Sequence, residues 1–194
     1  DPRWVIIPVG NADNLPSFVS LLGDSYMSVA VLMDVTPTDK ENIDRINDSG
    51  AGGKHSPIRW VEVARVRDAD IEDLLDPGFY LKLVNESYAS ELHQPLTLRS
   101  ITDSNPRIVR RVQAYFESAG IAGGSFDAYR PAAYLLQNHA ALGHELNDAT
   151  IAGVASMFER INALLDGNGA MPGQRLNGAE HTAPEGDKVV ALER

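Results

Sequence analysis

The chain has 194 residues, 43% hydrophobic and 23% charged, a globular balance long enough for one or two domains and a sizeable core. Its formal net charge of −10 makes the surface as a whole repel nucleic acid, so contact with a phosphate backbone has to use a local basic patch or metal ions. The absence of cysteine excludes disulfides and cysteine-ligated zinc, and no apolar run approaches the roughly 18 residues of a membrane span.

The chain enters a strand almost at once, with no initiating Met and no secretory signal pattern. This reads as a piece cut from a longer chain, soluble and cytoplasmic, with no membrane partner. Residues 4–9, WVIIPV, are short, apolar and β-branched, and Gly10 ends them, so they predict a buried strand. GNADN is turn chemistry, and LPSFVSLLG then predicts a helix closed by Gly23. A second strand, residues 28–33, ends abruptly at Asp34. Residues 38–48 read as a polar surface helix, 48–57 as a loop, and 58–66 as a third strand. DADIEDLLDPGFYLKLVNESY, residues 68–88, opens with acids and becomes helical. The order β-α-β-α-β-α predicts a parallel sheet with helices on its faces, and the apolar runs of the first two strands suit burial on both sides.

After about residue 100 the pattern is helical. NPRIVRRVQAYFESAG predicts a helix over 105–120, with Pro106 near its first turn and Gly120 past its end. Further helices are expected over 129–146 and 148–167. In the last, Asp148 is the expected N-cap, and Ile151, Val154, Ala155, Phe158, Ile161, Asn162 and Leu165 form the expected apolar face. From Gly167 the chain is rich in Gly, Pro and Asn, and a disordered tail is expected. The resulting division is 1–98, 99–166 and 167–194.

Ligand sites in open parallel sheets lie beyond the carboxyl ends of the strands. Asp34 stands at one such end, and Asp68, Asp70, Glu72 and Asp73 follow the third strand. Oxygen-only donors of this kind suit Mg²⁺ or Mn²⁺, and a divalent ion relieves the repulsion among crowded carboxylates. The competing structural reading is that acids at a helix start match the macrodipole and that Asp34 caps the next segment. Arg107, Arg110 and Arg111 fall on one face of a predicted helix and are candidates for backbone phosphates; the plainer reading is a solvated face or pairing with the many acids. GAGGKHS lacks a glycine six positions before Lys54 and is a surface loop, not a nucleotide-binding one. His139 and His144 are five apart, which does not place two metal ligands on one helix face.

At VLMD followed by DIEDLL the sequence resembles a TOPRIM domain, the metal-dependent module of topoisomerases, primases and some nucleases. The closer resemblance is to the OLD (overcoming lysogenisation defect) family, ATP-dependent endonucleases that join an ABC-type ATPase to a C-terminal TOPRIM domain. It covers residues 4–90 by strand order and motifs, including IIPVGNADNLPSFVSLL, and extends more loosely to FDAYRPAAYLL and MFERINALL. It implies a Rossmann-like parallel-sheet TOPRIM domain, an all-helical segment after it, and a flexible C-terminal tail. It further implies that Asp34 is the first acid of the Asp-x-Asp motif and that Asp70 and Glu72 are the later acidic pair, with Asp73 a neighbouring ligand. The implied cofactor is Mg²⁺ or Mn²⁺, and ATP is implied for a separate ATPase domain of the parent chain. The implied partners are DNA, that ATPase domain and a second copy of the parent.

Two departures stand out. Thr36 occupies the place of the family's second Asp, which removes a charge from the site. The family's Glu-Gly-x-x-Asp motif belongs to a strand preceding residue 1, so the fragment is expected not to cut DNA alone. Two rival readings follow: a non-catalytic TOPRIM that binds or dimerises, and a receiver-like domain with Asp34 as phosphoacceptor, which lacks the expected acid pair and lysine.

Overall fold

The computed structural model describes residues 2–10, 14–22, 29–33, 59–62, 68–164 and 188–193. It is a mixed, mostly helical chain that divides into two compact units, Asp1–Arg65 with Ser156–Arg194, and Val66–Ala155.

The first unit holds β1 (Trp4–Gly10), α1 (Leu15–Leu22), β2 (Val29–Met33) and β3 (Arg59–Glu62). Ala30, Val31 and Leu32 are buried on both faces of β2, as a continuous apolar run requires. β1 departs from that expectation: Val9 is buried, but Val5 and Ile6 are about half exposed. Among the described residues β1 pairs on one side only, which also suits Pro8, a residue with no N–H to donate. Gly10 ends the strand at φ +93°, a conformation that strains any residue with a Cβ, and Asn14 Nδ2 donates to Val9 O at 3.1 Å.

The segment expected to be a disordered tail contributes a strand, β4 (Lys188–Glu193). It lies between β1 and β2, parallel to both, with Ile6 opposite Val190 and Val31 opposite Ala191; β3 pairs parallel to β2 on its other side. The run KVVALE is too short to stand out in a Gly- and Pro-rich context, but ladder bonds on both sides satisfy its backbone groups.

The second unit is built around α2 (Pro77–Ser87), preceded by a single 3₁₀ turn, Ile71–Leu74. The segment expected to open with acids and become helical does so in two pieces, the 3₁₀ turn and then α2. Pro77 disfavours helical geometry at Asp76, which instead caps α2 by accepting from Phe79 N–H at 3.0 Å. One side of α2 buries Tyr80, Leu81, Val84 and Tyr88 with Leu96, Ile101 and the Ile108, Val112 and Phe116 stripe of α3 (Ile108–Ala119). This cluster runs across residue 98, so no boundary falls there. The other side buries Phe79 and Leu83 with Leu142. Asn85 holds the crossing loop as a strand would, donating to Leu96 O and accepting from Leu96 N–H.

α3 starts two residues after the expected Pro106 and ends at Gly120, whose φ is +65°. The helix expected over 129–146 is divided into α4 (Tyr129–Gln137), α5 (His139–Leu142) and a 3₁₀ turn, Gly143–Glu145. Asn138 makes the break: its side-chain amide donates back to Tyr134 O at 2.9 Å, competing with the helical ladder. In α6 (Asp148–Ala163) the cap is Asn147, whose Oδ1 accepts from Thr150 N–H at 2.8 Å, not the expected Asp148. The apolar face is also rotated from the expected one. Thr150, Met157, Ile161 and Leu164 are buried, while Ile151 and Phe158 are about half exposed.

Candidate functional site

The acids after the third strand lie in the second unit. Asp68 takes φ +56°, an uncommon backbone state for a residue with a side chain, and turns the chain into the 3₁₀ turn. Asp70 precedes that turn, only 7% exposed, and its N–H donates to Asp73 Oδ2 at 2.8 Å. The other oxygen of Asp73 accepts from Ile108 N–H at 2.9 Å. One carboxylate thus satisfies the backbone donor opening the turn and a free N–H at the start of α3, 35 residues away.

Asp70 meets a cation directly. Arg107 Nη1 lies 2.9 Å from Asp70 Oδ1, and the two side chains are 10% and 9% exposed. Arg107 occupies the cap position of α3, where its N–H donates to Asn105 Oδ1 at 3.0 Å. Arg111, one turn on, donates through Nη2 to Ile101 O at 3.0 Å. Arg110 is exposed. The three arginines do not form the common face expected of them: Arg107 is buried on Asp70, Arg111 is half-buried with its guanidinium on Ile101 O, and Arg110 is exposed.

Among the described residues, three buried side-chain polar atoms have no hydrogen-bond partner: Tyr80 Oη, Arg107 Nη2 and Arg111 Nε. Tyr80 is 2% exposed, and burial pushes its phenol well above the usual range, reinforced by the negative charges of Glu72, Asp70 and Asp73. The phenol therefore stays protonated. Sequence reasoning missed Tyr80, because an aromatic at helical spacing carries the pattern of a core residue. It allowed the arginine trio to pair with acids but did not single out Asp70 for Arg107, since 37 residues separate the partners.

The donor set fits a hard divalent cation in kind, being all oxygen, and the place against Asp70 Oδ1 is held by a positive group, the Arg107 guanidinium. The geometry gives the acids unequal roles. Both Asp73 oxygens accept backbone N–H groups, Asp70 is ion-paired, and Glu72 is half-buried on the turn. Among the described residues, no three His, Cys, Asp or Glu side chains are grouped to hold a metal. Asp34 and Thr36 lie outside the described residues, so the expected convergence of Asp34 with Asp70 and Glu72 does too. Among those residues, no helix is long and apolar enough to cross a membrane. No family model, curated protein or solved structure matches the chain.

Proposed function

We propose that this chain is the TOPRIM segment of an OLD-like, ATP-dependent DNA endonuclease, a parallel-sheet domain whose parent hydrolyses phosphodiester bonds with Mg²⁺ or Mn²⁺. The observation that carries the reading is Asp70: a carboxylate 7% exposed, within a run of four acids, whose charge is met by a cationic group. Burying a carboxylate is costly unless a cation compensates it, which makes the place against Asp70 a cation position. Within the second unit, Asp70 and Glu72 would hold the ion. When bound, such an ion activates water and stabilises the leaving oxygen.

The chain's own residues have separable tasks in this account. Asp73 fixes the turn that presents Asp70 and Glu72, through its two backbone bonds. Arg110, exposed on α3, takes a DNA phosphate. Arg107 and Arg111 hold α3 against the acids and the Ile101 loop and do not reach DNA. ATP belongs to the ABC-type ATPase domain of the parent. The test is nicking of supercoiled plasmid by the parent-length protein with Mn²⁺ or Mg²⁺, beside its Glu72→Gln variant. The reading predicts cutting by the first and none by the second.

A second reading is favoured by Asp73, both of whose oxygens are committed to backbone groups, and by Thr36 in place of an acid. In it the fold is a non-catalytic binding or dimerisation module. Equal nicking by both proteins, or by neither across a metal titration, removes the nuclease role of Glu72 and leaves this one.

A further inference from the structure

Residues 95–99 cross α2 and leave a cleft of about 720 Å³ against it. Leu81 and Leu96, each 3% exposed, line it from the core, and Leu98 lines it at 47% exposed. The crossing segment is tied down by its own bonds. Asn85 bonds both the N–H and the C=O of Leu96, Thr97 N–H donates to Ser100 Oγ at 2.7 Å, and Arg111 Nη2 donates to Ile101 O. The cleft is therefore formed in advance, and a ligand does not have to order it. Its volume falls within the range of small-molecule sites, about 300–1,000 Å³.

Three charged side chains line the cleft, and their charges are not equally met. Lys82 Nζ lies 2.6 Å from both carboxylate oxygens of Glu145. Glu86 on α2 and Arg99 on the crossing segment are exposed, and among the described residues neither side chain has an ion pair or hydrogen bond, with each other or with another group. One free charge of each sign thus stands at an apolar cleft. A nucleotide would meet Glu86 with like charge, and an amphiphile with a single charge would leave one of the two unmet. We propose that the cleft binds a short apolar peptide with free termini. The peptide carboxylate goes to the guanidinium fork of Arg99, its ammonium to Glu86, and its side chains to Leu81, Leu96 and Leu98. The site shares no residue with the acid turn and stands apart from the nuclease reading.

The test is titration of trileucine into the full chain, with leucine and arginine isotope-labelled, followed by NMR. The Leu98 methyl and Arg99 Nε–H signals should shift together and saturate. Acetylating the peptide's amino terminus, or amidating its carboxyl terminus, should each weaken binding about three- to fivefold, the strength of one exposed charge pair. Arg99→Gln should abolish the preference for a free carboxylate, and Glu86→Gln the preference for a free ammonium; both positions are exposed, so neither change removes core packing. Triglycine, which carries the charges without the apolar side chains, should bind at least tenfold more weakly. The proposal is overturned if no saturable shift appears at Leu98 and Arg99. It is equally overturned if blocked and free trileucine bind alike, if the two variants keep the wild-type preferences, or if triglycine matches trileucine.

Discussion

Removing either partner of the Asp70–Arg107 pair should destabilise the second unit far more than an ordinary surface ion pair would. The side chains are 9% and 10% exposed and 2.9 Å apart, so solvent does little to screen them. Arg107→Met strands a buried carboxylate and Asp70→Asn strands a buried guanidinium, each costing about 3–5 kcal/mol. Exposed pairs are worth about 0–1 kcal/mol. The double variant removes both charges and should cost less than the sum of the two singles, a coupling of a few kcal/mol. Urea unfolding followed by far-ultraviolet circular dichroism is the assay, because both tryptophans, Trp4 and Trp60, belong to the first unit and fluorescence would miss the helices. Single variants that lose less than about 1 kcal/mol at unchanged slope would refute the reasoning, as would strict additivity in the double.

Asp73→Ala should cost about 1–3 kcal/mol, since two backbone donors lose a charged acceptor, and should accelerate hydrogen exchange at the Ile108 amide; protection unchanged there would contradict the capping role. Tyr80→Phe should leave stability unchanged or raise it by about 1 kcal/mol, because the hydroxyl it deletes is buried and unbonded; a loss of more than about 1 kcal/mol would mean the phenol has a partner. Glu91 is held below its ordinary value of 4.5 by hydrogen bonds from Arg130 and then Ser90, with Arg130 also stacked 3.8 Å over the Tyr88 ring. A depressed carboxyl contributes stability that is present above 4.5 and is lost as pH falls through the lower folded value. The midpoint of urea unfolding should therefore fall less steeply below that pH in Arg130→Met than in wild type; parallel curves would exclude the pair as the cause.

Short-range features were legible in the sequence where one residue's chemistry decides them. Gly10 and Gly120 end elements in the left-handed region, and Pro77 and Asn138 sit at breaks that a reading of periodicity alone passes over. Burial was less legible. α6 presents Met157, Ile161 and Leu164 to the interior, one residue away from the stripe that spacing favours, because Ala, Gly and Thr leave that helix with two nearly equivalent apolar faces. The β4 run carried no signal beyond two adjacent β-branched residues, Val189 and Val190, and what makes it a strand is pairing with β1 and β2, about 180 and about 160 residues distant. The candidate site was half legible. The acids at 68–73 do gather ahead of α2, but which residue is their charge partner was left open among a phosphate contact, a solvated face and pairing with acids, since an ion pair between distant segments leaves no periodic mark.

The account turns on whether the acid turn binds a cation through Glu72. Electron paramagnetic resonance of free Mn²⁺ in the presence of the full chain counts bound ions directly, and the comparison is wild type against Glu72→Gln. The account predicts saturable binding by wild type that weakens about tenfold or more when the Glu72 charge is removed. Identical curves for the two proteins, or no uptake by either, would contradict it and leave the acids as caps and counter-charges for α3.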